Sequence, residues 1–166
     1  KALPAIVEHE GPVYIRLFRR QAENVFDDGY EFDLGKADLL RDGSDVTLIA
    51  SGVCVANALQ AAETLAQEGV SARVLNIHTI KPIDADAVIK AASETGALVT
   101  AENPNVIGGL GSAVAEVLAE QRPTPLERVG VKDHFGQVGK APYLMGVFGI
   151  TAADIAKAAR KAIARK

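Results

Sequence analysis

From residue 45 onward the chain alternates short apolar runs with longer amphipathic stretches, most of them closed by glycine. Val46-Thr47-Leu48-Ile49-Ala50 is nearly continuous in apolar character, as a strand buried on both faces must be, and Ser51-Gly52 closes it. Val55, Leu59, Ala62 and Leu65 or Ala66 then recur at helical spacing, with Gly69 as the stop. The same grammar returns in the strand 72–77, followed by Asp84 capping a helix that buries Ala87, Val88 and Ala91 and ends at Gly96. A third strand, 97–101, leads through a loop to Gly108-Gly109-Leu110-Gly111 and a helix carrying Val114, Val117 and Leu118. A fourth strand spans 126–131, and an irregular stretch fills 132–149. Thr151 with Asp154 then forms a capping box for a last helix burying Ile155, Ala158 or Ala159, and Ala162 or Ile163. Strands separated by helices of about a dozen residues imply right-handed crossovers, and hence a doubly wound α/β fold with a mostly parallel sheet covered on both faces.

The first 44 residues lack this rhythm. Residues 2–8 read as a helix, and Val13-Tyr14-Ile15-Arg16-Leu17 after Gly11-Pro12 reads as a strand. Because the helix pattern begins at Lys1 without a Met, residues 1–20 are expected to be the tail of a preceding domain; an ordinary helix start with Pro4 in its first turn is the alternative. Residues 21–44 are acidic, contain three glycines and hold no period, which marks a surface linker anchored by Phe26, Tyr30 and Phe32. Residues 45–166 make up the main domain.

A net charge of −3 with dispersed Lys and Arg offers no field for a nucleic-acid backbone. No apolar run reaches the roughly 20 residues a membrane span requires. Cys54 is the sole cysteine, which excludes an intrachain disulfide and fits a reducing, cytoplasmic setting. No zinc-type ligand set or nucleophile elbow is present, and His9, His78 and His134 lie far apart. The Gly109-Leu110-Gly111 turn departs from a dinucleotide fingerprint, since its third position is Val114. Gly108, Gly109 and Gly111 remain candidates for holding an anion on free backbone N–H groups. The other distinctive segment is Asp133-His134-Phe135-Gly136-Gln137-Val138-Gly139-Lys140-Ala141-Pro142, which is dense in polar and turn-forming residues. Asp133, His134 and Lys140 there are candidates for anion binding or an interface.

Four segments resemble the transketolase family: residues 11–19 (GPVYIRLFR), 45–52 (DVTLIASG), 108–116 (GGLGSAVAE) and 133–142 (DHFGQVGKAP), the last with Phe148-Gly149-Ile150-Thr151 downstream. Their order and spacing cover essentially the whole chain, and the fourth looks like transketolase in particular. The first three also resemble 1-deoxyxylulose-5-phosphate synthase and the beta subunits of 2-oxo-acid dehydrogenases. The resemblance implies that residues 1–20 end a pyrimidine-binding domain and that 45–166 are the transketolase C-terminal domain. It implies a parent enzyme that transfers a two-carbon ketol unit between sugar phosphates with thiamin diphosphate and magnesium, as a homodimer. It also implies a partner, the remaining N-terminal domains or subunit.

By the same resemblance Arg19 matches the family's substrate-phosphate arginine, and a guanidinium fork suits such a dianion. The family has a small residue before this arginine and Gln after it, where this chain has Phe18 and Arg20, so Arg20 is a second candidate. The segments that hold magnesium and diphosphate, and the glutamate that activates the cofactor, have no counterpart here. The fragment is therefore expected to contain no catalytic residue, no metal site and no cofactor of its own, and to be inactive alone. The competing expectation is a free-standing regulatory or assembly module that recognises an anion or nucleotide at the Gly108 turn.

Overall fold

The computed structural model describes residues 1–19 and 22–166. A five-stranded sheet in the order β1-β3-β2-β4-β5 forms its centre. The strands are β1 (Asp38–Arg41), β2 (Val46–Ala50), β3 (Ala72–Asn76), β4 (Leu98–Asn105) and β5 (Leu126–Val131). The last four are parallel, and β1 joins β3 antiparallel at one edge.

Burial on both faces explains the continuous apolar runs. Leu48 and Ile49 are adjacent in β2, so their side chains leave opposite faces, and both are fully buried. Leu48 joins a core with Val74 and Val99 under α2 (Cys54–Gln67) and α6 (Ala152–Ile163). Ile49 joins Leu75, Ile77 and Leu98 under α3 (Ala85–Thr95) and α4 (Leu110–Gln121). The doubly wound α/β expectation is met.

The helix signals expected from sequence operate in the fold. Asp84 Oδ1 accepts from the Ala87 N–H, and Gly96 closes α3 in a left-handed conformation with φ 67°. Thr151 and Asp154 form a reciprocal capping box. Asp84 Oδ2 also accepts from the Ala37 N–H, which ties the linker to the start of α3.

Three local expectations are corrected. Residues 38–41, read as linker, form β1, with Leu39 opposite Leu75. Residues 13–17, read as a strand, belong to no strand, because apolar and β-branched side chains need a ladder partner and the described residues provide none. Tyr14 and Leu17 are exposed there, and the preceding α1 (Ala2–Glu8) buries no residue. Within 132–149 a helix, α5 (Ala141–Phe148), starts at Lys140 with proline in its first turn and ends at Gly149, φ 64°. The linker aromatics do anchor: Phe26 stacks on Tyr30 with centroids 3.9 Å apart, and Phe32 packs on His78 at 4.4 Å. No described helix is long and apolar enough to cross a membrane.

Candidate functional site

In an open parallel sheet, ligands favour the carboxyl ends of the strands where the strand order diverges. Here β2 is flanked by β3 and β4, so this place lies between the β2–α2 turn and the β4–α4 loop. A helix N-terminus with glycines is present at α4, as an anion site requires. The chain fills it with its own carboxylate. Glu102, fully buried at 0% exposure, accepts from the Leu110 N–H through Oε2 and from the Gly111 N–H through Oε1, each at 2.8 Å.

Two glycines, Gly109 and Gly130, make room for this carboxylate, and a third, Gly111, makes room for the side chains beside it. A Cβ at Gly109 would overlap Glu102 Oε2, and one at Gly130 on β5 would come within 3.1 Å of Glu102 Cγ. At Gly111 it would meet Arg128 Cδ at 2.8 Å and Thr100 Oγ1 at 2.9 Å. Burial pushes the Glu102 carboxyl up, opposed by the two backbone N–H groups and by the guanidinium charges of Arg128 and, more weakly, Arg16. Burial and the Glu102 charge together push the Cys54 thiol up to about 12. Cys54 is therefore a protonated core side chain without thiolate reactivity at neutral pH.

The candidate residues fall around this centre. Gly108 donates its N–H to Ser112 Oγ at 2.9 Å, Gly109 caps α4, and Gly111 is spent on Glu102, so the expected free donors of Gly108 and Gly111 are engaged within the chain. Asp133, at φ 53°, accepts from Asn105 Nδ2 at 3.1 Å, which pins the loop after β5 to the end of β4. His134 and Lys140 are exposed, and Lys140 is the residue before α5. Arg19 is exposed at the end of the N-terminal segment, and Arg20 lies outside the described residues. That segment reaches the same edge of the sheet through Arg16, whose Nη1 donates to Asn103 Oδ1 at 3.4 Å. Glu102, Asn103, Asn105 and Arg16 were not singled out by sequence. The available signal was a carboxylate closing the apolar run 98–101, just ahead of a helix opened by glycine.

A second feature lies at the ends of β2 and β3. Tyr30 donates to Asp38, 3.0 Å from Oδ2, and Asn76 Nδ2 donates to the same oxygen at 2.8 Å. Burial, with the Asp38 bond and charge, pushes the Tyr30 hydroxyl up to about 12. His78 Nδ1 lies 2.9 Å from Thr79 Oγ1, and burial holds the imidazole below its usual value. Beside it is a cavity of about 210 Å³ lined by Phe26, Val53, Asn76 and His78, among others. This network fastens the linker to the sheet.

The profile of the transketolase C-terminal domain matches residues 35–155. The chain belongs to the transketolase family. It is 57% identical over 165 residues to the 6-deoxy-6-sulfo-D-fructose transketolase subunit SqwH of Clostridium sp. (strain MSTE9), covering 99% of this chain and 51% of that protein. It is 39% identical to 1-deoxy-D-xylulose-5-phosphate synthase 1 of Geobacter sulfurreducens, over 99% of this chain and 26% of the synthase. Among solved structures, a split-gene transketolase described as an inactive beta4 tetramer superposes with a TM-score of 0.95 at 45% identity, over 98% of this chain and 54% of that one. The transketolase-family chain thus spans about half the length of the transketolase subunits it matches.

Proposed function

We propose that this chain is the C-terminal portion of a split transketolase subunit, with residues 1–20 ending a pyrimidine-binding domain, a linker from residue 21, and a C-terminal domain whose sheet already includes β1 (Asp38–Arg41). The observation that carries this reading is the Glu102 carboxylate on the N-terminus of α4: the place where this fold would take a phosphate is closed by the protein itself. The anion contact then falls outside this domain, in the N-terminal segment, where Arg19 offers a guanidinium for the terminal anion of the substrate. The sulfofructose relative bears on the anion class, since a sulfonate and a phosphate both present tetrahedral oxygens to such a fork.

Thiamin diphosphate and magnesium belong to the family, and both are assigned to the cofactor-binding portion. Among the described residues no three His, Cys, Asp or Glu side chains converge as a metal site. The roles assigned to this chain are anion binding and packing, and by itself it turns over no substrate. Its partner is the cofactor-binding portion, with self-association of the kind reported for the beta4 relative as an assembly state. The setting proposed is cytoplasmic.

Joined to the cofactor-binding portion with thiamin diphosphate and magnesium, the chain is expected to support ketol transfer from xylulose 5-phosphate or a 6-sulfonated ketose to ribose 5-phosphate. An assembly that binds the cofactor yet transfers no ketol unit from either donor class would overturn the reading. The module alternative predicts calorimetric binding of phosphate or nucleotides to the isolated chain, and the engaged donors of the α4 turn speak against it.

A further inference from the structure

The N-terminal segment carries the proposed anion-binding Arg19 but buries almost nothing of its own, so something must hold it in place. Tyr14 and Leu17 face outward, and few hydrogen bonds from this segment to the sheet are present among the described residues. One is specific: Arg16 donates from Nη1 to the Asn103 carboxamide oxygen at the end of β4. Asn103 follows Glu102 directly, and Glu102 is rigid because two helix N–H groups grip it in a glycine-walled space. The Arg16 guanidinium is in turn the weakest of the charges that favour the ionised Glu102 carboxylate.

We infer that Arg16, docked on Asn103, is a positioning residue that sets where Arg19 meets the anionic end of the substrate. The inference rests on the proposed function for its outcome, while the docking itself is a property of this chain. Arg19 is three residues further on, so an extended backbone places it within about 10 Å of the anchor.

Two measurements test this separately. In the isolated chain, Asn103→Leu should raise hydrogen exchange at the Arg16 guanidinium by about two- to fivefold, as loss of an exposed charge-assisted contact implies, and leave β4 protected, with Arg16→Met as the variant whose signal is absent. Unchanged exchange would overturn the docking whether or not the enzyme reading stands. In the assembled enzyme the same variants should raise KM for a phosphorylated or sulfonated ketose by about two- to fivefold, with kcat nearly constant. KM for the same ketose without its anionic group should not move, and Asn103→Asp, which keeps the acceptor, should restore the value. Equal changes in both KM values, or none, would overturn the positioning role. A wild-type assembly without any ketol transfer would overturn the enzyme reading and this role together, leaving the exchange result to judge the docking.

Discussion

A methyl group added at Gly109 would occupy the space of the Glu102 carboxylate, and neither the fully buried side chain nor the β4–α4 backbone has room to yield. Gly109→Ala is therefore expected to lower stability by about 1–3 kcal/mol, the usual range for overpacking, read from the midpoint of urea unfolding. Gly136→Ala, where a Cβ meets nothing within 4 Å, is the matched control and should leave the midpoint in place. Cys54 offers a second test. Its thiol, held up near 12, should not react with a disulfide reagent at pH 7 to 8 in the folded chain and should react fully in urea. Glu102 itself was not legible from sequence. A carboxylate after an apolar run looks like any solvated strand end until the glycines of two other segments are seen to enclose it.

Among the elements, those that face two layers were the easiest to read. β2 and the first residues of β4 are buried on both sides, and such burial leaves an uninterrupted apolar run. α3 and α6 also declare their starts through side chains that accept backbone N–H groups. Thr151→Ala should remove such a bond and cost about 1 kcal/mol in thermal or urea unfolding. β1 and α5 escaped notice because each is short and partly solvated; α5 has no buried residue to mark a face, and β1 is defined by its partner β3. The ladder from β1 to β3 is reinforced by side-chain bonds at one residue. Asp38→Ala would release both Tyr30 and Asn76, and amide exchange at residues 38–41 should rise sharply while β2 keeps its protection.

For the molecule as a unit, the two hydrophobic layers under α2 with α6 and α3 with α4 carry the stability, and α1 with the segment after it contributes little. Trypsin is expected to cut after Arg16 or Arg19 and leave a core with the melting temperature of the uncut chain. Addition of the cofactor-binding portion should slow that cut. Cleavage at an unchanged rate in the assembled enzyme would place the segment outside the interface.

The grip on Glu102 also bears on the order in which the chain folds. Its two backbone donors are eight and nine residues away, so closing the contact requires only a short loop. The antiparallel join of β1 to β3 instead spans 38 residues between Asp38 and Asn76. The β4–α4 corner can thus assemble early and offer β5 and β2 a formed template, whereas the linker strand condenses last. Weakening the corner with Glu102→Gln should accordingly slow refolding, and weakening the β1 clasp with Tyr30→Phe should mainly hasten unfolding. Should both rates move this way, the carboxylate on the α4 N-terminus is a nucleation point for the sheet around it.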